Sequence, residues 1–223
     1  MNQRILELNL IHKIIYEDLE ALSFYEKVNQ EINFFFESPE HCLILKGEEL
    51  INSYLLQAFY NRLVKENKCV FISLKNVSNY EILKNLESFE FIFIDSFNSA
   101  LEKQDGELNL FNLYNFSKTN SKKLILGENA SLENKSQLPD LTSRLKANLE
   151  ISIPLLDDLD KKYLIKLELK KRGLLINERC LEYIMSRGSR NLESLLELVD
   201  KLDFLSLERK KNISIPLIKE LIE

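Results

Sequence analysis

Residues 43–56 read LILKGEELINSYLL. Leu43, Ile44 and Leu45 make the apolar run of a buried strand, and Gly47 interrupts it. From Ser53 to Val64, Leu55, Leu56, Phe59 and Leu63 then recur at helical spacing. Strand, glycine turn and helix are the layout of a phosphate-binding loop, but its chemistry is missing. Such a loop needs GxxxxGK[ST], so that backbone N–H groups can close on the phosphates and a lysine can meet their charge. Here Gly47 stands alone, Glu48 and Glu49 follow it, Asn52 occupies the lysine position and Ser53 keeps the hydroxyl. Two carboxylates facing a triphosphate repel it, so the scaffold of a nucleotide site is expected with the site itself dismantled.

Working outward, the pattern alternates. A helix is predicted over 20–36, with Tyr25, Val28, Ile32 and Phe36 at helical spacing. Strands are predicted at Cys42–Leu45, Cys69–Ser73, Phe89–Ile94, Lys123–Leu126 and Leu149–Ile153, with a short helix at 79–86 and a longer one at 108–117 between them. Strands alternating with helices imply a parallel sheet covered on both faces. Pro154 marks a change, because no strand pattern recurs after it. Asp157, Asp158 and Asp160 suit the start of a helix running to about Lys171, which Gly173 ends. Further helices are predicted over 177–186, from about Arg190, and around Ile218 and Leu221. The expected class is α/β: a five-stranded parallel core over 16–154 and a small all-helical domain over 155–223, preceded by a short segment, 1–15.

Composition narrows the function. With 223 residues, 45% hydrophobic and 29% charged, the chain is an ordinary folded protein. No apolar run is long enough to span a membrane, and MNQRILELNL lacks the features of a signal peptide. Cys42, Cys69 and Cys180 are scattered, as reduced cytosolic thiols are, and His12 and His41 are too far apart to suggest a metal site. The net charge of −5 and the acidic residues interleaved with the lysines and arginines argue against direct, specific nucleic-acid binding. No GxSxG, HExxH or dinucleotide fingerprint occurs.

Several segments taken in order resemble the DnaA branch of the AAA+ proteins, and within it the Hda regulators. IDSFNSA (94–100) resembles the Walker B segment and ELNLFNLYN (107–115) the helix that follows it. LILGENASL (124–132) is similar to sensor 1, and QLPDLTSRL (137–145) to the arginine-finger segment. SRGSRNLESLLELVDKLD (186–203) resembles the sensor 2 helix, and KNISIPLIKELIE (211–223) the Hda C-terminus. The first residues, QRILEL (3–8), are similar to the sliding-clamp-binding motif of Hda. Gln3, Leu6 and Leu8 fit that motif, while Arg4 and Glu7 replace its Leu and Pro. The chain is expected to lack the helix-turn-helix domain into which DnaA continues.

The resemblance implies an AAA+ core with a helical lid, and roles for particular residues. Gly47, Asn52, Ser53, Asp95, Asn129 and Arg190 would be the remains of a nucleotide site, with Asp95 at the end of a strand where ligands of open α/β sheets gather. Ser96 replaces the second polar residue of Walker B, leaving the metal-holding pair incomplete. The expected cofactor is therefore none, or weakly bound ADP, and no metal. Arg190 would either touch a weakly held nucleotide or pair with Glu48 or Glu49. Asn129 would orient a phosphate or cap a turn. Arg144 would be an arginine finger that reaches a neighbour's nucleotide in trans; on local sequence it equally suits an i,i+4 pair with Asp140. Gln3, Leu6 and Leu8 would bind the clamp, or the segment would pack on its own domain.

The implied protein is a cytoplasmic regulator of replication initiation. It would act on DnaA together with the sliding clamp, would not hydrolyse ATP itself, and could self-associate. The alternative from a different class is a nucleotide-independent adaptor that recruits partners without stimulating hydrolysis.

Overall fold

The computed structural model describes residues 15–129, 138–210 and 212–222. The expected clamp-binding residues Gln3, Leu6 and Leu8 lie outside these. The described chain divides into two compact units, residues 15–155 and residues from 156 onward.

The first unit is an α/β layer structure. Its strands are β1 (Cys42–Gly47), β2 (Cys69–Ser73), β3 (Phe91–Asp95), β4 (Lys123–Asn129) and β5 (Leu149–Ser152). All pair in parallel in the order β2-β3-β4-β1-β5. Its helices are α1 (Tyr25–Glu37), α2 (Glu49–Leu63), α3 (Gln104–Thr119) and α4 (Pro139–Lys146), with 3₁₀ turns at Tyr16–Asp18, Tyr80–Leu83 and Phe97–Glu102. The sheet is buried on both faces. Side chains alternate along a strand, so Cys42 and Ile44 of β1 join Ile92, Ile94, Leu124, Leu126 and the inner face of α3 in one core. Leu43, Leu45, Phe93 and Ile125 are equally buried on the other face. Parallel sheets require this double cover, which is why these strands read as unbroken apolar runs.

The helix expected over 79–86 is only the 3₁₀ turn at Tyr80–Leu83, and two expectations about α2 change. The helix after β1 begins at Glu49, not Ser53, and Gly47 is the last residue of β1, paired in register with Asn129. Only Glu48, extended at the helix cap, separates strand from helix. With one glycine there is no chain to spare for a loop, and Glu49 in the first turn suits the positive end of the helix dipole. The second change concerns burial. α2 does not bury a single face, because Ile51, Asn52, Ser53, Tyr54, Leu55, Leu56, Ala58 and Phe59 are all buried. Its close approach to the sheet is visible at Gly127, where an added Cβ would come within 2.8 Å of Leu56.

The second unit holds α5 (Asp158–Lys171), α6 (Glu178–Arg187), α7 (Leu192–Arg209) and α8 (Ile215–Ile222) around their own core. Asp157, Asn177 and Asn191 cap the first three by accepting a backbone N–H. Gly173, at φ +71°, supplies the left-handed residue that stops α5. The apolar stripe of α7 is Leu192, Leu195, Leu198, Val199 and Leu202, with Leu196 only half-buried. Among the described residues, no helix is long and apolar enough to cross a membrane.

Candidate functional site

The carboxyl end of the sheet gathers most of the expected nucleotide-site residues. Gly47 closes β1, Asp95 closes β3, Asn129 closes β4, and Asn52 and Ser53 stand in the first turns of α2. Asn52, Ser53 and Asp95 are bonded to this end of the sheet. The Asn52 side-chain amide donates to the Gly47 carbonyl (3.3 Å) and the Glu128 carbonyl (2.6 Å), clipping the ends of β1 and β4 together. Ser53 Oγ donates to Asp95 Oδ2 at 2.8 Å, and Ser73 Oγ donates to the same oxygen at 3.2 Å. Glu49 pairs with Lys75 at 2.9 Å. Lys46 lies 3.1 Å from Glu150 and 3.8 Å from Glu128.

Asp95 is nearly fully buried. Burial pushes its carboxyl above the ordinary range, against the Ser53 and Ser73 hydroxyls and the Ser96 backbone N–H, which favour the charged form; Glu49 nearby adds to the rise. Ser96 itself adopts a left-handed backbone (φ 55°), uncommon for a residue with a Cβ.

These residues do not fit a bound nucleoside triphosphate. A phosphate cradle is made of N–H donors, and the segment that would supply them has shrunk to Glu48. The lysine is an asparagine whose amide is spent on two strand carbonyls. Its remaining buried atom, Oδ1, has no hydrogen-bond partner and is an acceptor, the wrong polarity for an anion. Gly47 is required by packing, since a Cβ there would stand 3.0 Å from the Cβ of Ile153. Among the described residues, no group of three or more potential metal ligands occurs.

Arg190 belongs to the second unit and lies just before the Asn191 cap of α7; its carbonyl accepts from Lys161 Nζ at 2.9 Å. The pairing with Glu48 or Glu49 weighed above stays an expectation, and Glu49 already has Lys75 as a partner.

Arg144 lies near the end of α4, with its side chain 37% exposed. The Asp140 pair suggested by i,i+4 spacing is formed, Nη2 to Oδ2 at 3.2 Å. Two further contacts were not anticipated. Nη1 donates to Asn115 Oδ1, and the guanidinium lies 5.0 Å from the Phe111 ring centroid. Both come from α3, as does Glu107, a buried residue that accepts the Leu138 N–H at the start of α4 (3.0 Å). Glu107, Phe111 and Asn115 are four apart and so share one helix face. That spacing is present in the sequence, but nothing local says α4 will lie on it. Ser73 was missed for a similar reason: its place beside Asp95 depends on the register of β2 with β3.

Comparison with known proteins bears on the fold. The family described as Hda, lid domain, matches residues 158–222. An uncharacterised protein of Haemophilus influenzae is 28% identical over 175 residues, 76% of each chain. Domain III of the Thermotoga maritima replication initiation protein DnaA is similar at a TM-score of 0.76 and 16% identity, over 95% of this chain and 98% of that one. AMPPCP-bound DnaA from Aquifex aeolicus is similar at a TM-score of 0.65 and 18% identity, over 90% and 69%. The chain therefore has the fold of DnaA domain III, and its residues 158–222 match the Hda lid domain family.

Proposed function

We propose that this protein is a cytoplasmic regulator of DNA replication initiation that acts on ATP-bound DnaA and promotes its hydrolysis with Arg144 supplied in trans. The observation that carries the proposal is a contrast within one unit. Asn52, at the position of a phosphate-binding lysine, spends its amide on two strand carbonyls, while Arg144 keeps a partly exposed side chain. An arginine finger needs no phosphate-binding loop in its own subunit. It stabilises charge on the partner's γ-phosphate as the transition state forms, and in NTPases this accelerates hydrolysis by ~10³–10⁵. The protein itself would hydrolyse no ATP and bind ADP weakly or not at all. Gln3, Leu6 and Leu8 would hold it on the sliding clamp, whose apolar groove suits a short segment with spaced leucines. DNA would be reached through the clamp, in keeping with the net charge of −5.

The test is single-turnover hydrolysis by ATP-loaded DnaA in the presence of clamp-loaded DNA. Wild-type protein is expected to accelerate phosphate release, and Arg144→Ala to abolish the acceleration while still binding DnaA. A Gln3/Leu6/Leu8→Ala triple variant is expected to lose clamp binding in calorimetry and to lose the clamp-dependent part of the acceleration.

One observation favours a second reading. Arg144 is already engaged by Asp140, Asn115 and Phe111, as a structural arginine would be. The protein would then be a nucleotide-independent adaptor that recruits partners without stimulating hydrolysis. An Arg144→Ala variant that keeps every effect of the wild type would establish the adaptor and end the finger proposal.

A further inference from the structure

The contacts around Arg144 carry a consequence for its use. Nη2 faces the Asp140 carboxylate at 3.2 Å, Nη1 faces Asn115 Oδ1, and the guanidinium carbon lies over the Phe111 ring, 5.0 Å from its centroid. The backbone beneath is fastened too. Asn148 Nδ2 donates to the Arg144 carbonyl and to the Leu145 carbonyl (3.3 Å), and the Tyr114 hydroxyl donates to Asn148 Oδ1 at 3.1 Å. At the other end of α4, Glu107 receives the Leu138 N–H. α3 thus holds α4 at its start through Glu107 and near its end through Phe111, Tyr114 and Asn115.

We infer that Asn115 and Asp140 form a latch that parks the Arg144 guanidinium on its own subunit, and that a partner's nucleotide must displace it. The inference rests on the reading above that Arg144 acts in trans. A terminal phosphate approaching Nη2 competes with the Asp140 carboxylate for the same N–H groups, and the two anions repel each other. The side chain must therefore turn away from Asp140 before it can serve a phosphate, and Asn115 holds the adjacent nitrogen back. Asn115 and Asp140 are positioning residues: they set how much of the arginine is available and take no part in the chemistry. Glu107 and Asn148 keep α4 in place while the side chain moves, so release requires a change of rotamer and no unfolding of the helix.

The experiment has two arms, using full-length Asp140→Asn and Asn115→Ala proteins whose melting temperatures are measured alongside. In the first, the isolated protein is treated with phenylglyoxal and modification of each arginine is followed by peptide mass spectrometry. Arg144 is expected to react roughly two- to fivefold faster in both variants, the range set by an exposed ion pair, with the other arginines unchanged. In the second, both variants are expected to lower by a similar factor the concentration giving half-maximal stimulation of DnaA. The maximal rate should stay the same, because the released arginine is the same group. An unchanged Arg144 reactivity overturns the latch, and so does a loss of stimulation in these variants, which would mean that the contacts prepare the arginine for use. Faster modification with no stimulation by any protein, wild type included, upholds the latch and instead defeats the reading of Arg144 as a trans finger.

Discussion

The carboxyl end of the sheet and the exposed end of α4 differ in how their polar groups are engaged. At the sheet end, polar groups have turned inward. Asn52 clips β1 to β4, Ser53 and Ser73 satisfy Asp95, and Glu49 takes Lys75. At α4, Arg144 is held by Asp140, Asn115 and Phe111 at a surface where a third of its side chain meets solvent. Polar groups spent on the fold's own bonding answer to stability. A group that serves a partner must stay reachable, so its own-chain bonds have to be loose enough to break. Large effects on stability are therefore expected at the first region, and large effects on a partner at the second.

That comparison breaks first at Asn52. Asn52→Ala removes both donors from the Gly47 and Glu128 carbonyls, at a cost of about 2–3 kcal/mol, read from urea unfolding. It should create no measurable affinity for ATP in calorimetry. Tight ATP binding by the variant would mean that the amide merely occludes a working site.

The next effect is a pH dependence at Asp95. Because burial raises its folded-state pKa, the protonated carboxyl is favoured in the fold. Its contribution to stability is complete below the ordinary carboxylate pKa and is lost as pH rises through the folded value. Asp95→Asn cannot ionise. The difference in melting temperature between variant and wild type should therefore move in the variant's favour as pH is raised from about 4 to about 7. A difference that stays flat across that window would show the hydroxyl and N–H donors balancing burial, and one that moves against the variant would show them outweighing it.

The smallest change in stability is expected where the functional loss is greatest. Arg144→Ala removes one exposed ion pair, one amide contact and a ring contact, and should shift unfolding by no more than about 1 kcal/mol. If it instead unfolded the protein as readily as Asn52→Ala, the guanidinium would be structural and the contrast between the two regions would vanish.

Much of the fold was legible because its signals are local. The strands are continuous apolar runs, as a sheet buried on both faces demands, and the break at Pro154 separates sheet-forming from helix-only sequence. The second unit was readable from its caps, Asp157 and Gly173 above all. The start of α2 was misjudged, because a helix beginning at Ser53 supposed a loop of ordinary length after Gly47. In fact the strand keeps its glycine, the helix follows after one residue, and Asn52 and Ser53 become buried helical positions.

The sequence by itself determined which chemistry was missing. A single glycine, two glutamates and an asparagine in place of lysine are facts of residue type, and no folding could restore a phosphate cradle from them. It also determined that an arginine stands four residues beyond Asp140, so their pairing on one turn followed from helix geometry. Only the tertiary structure decided what the Asn52 amide bonds to and what restrains Arg144. The Asn52 clip needs β1 and β4 side by side, the Ser73 contact needs the register of β2 with β3, and the Asn115 and Phe111 contacts need α4 laid along α3. Each joins residues far apart in the chain, and the packing of apolar faces that brings them together is a property of the whole unit.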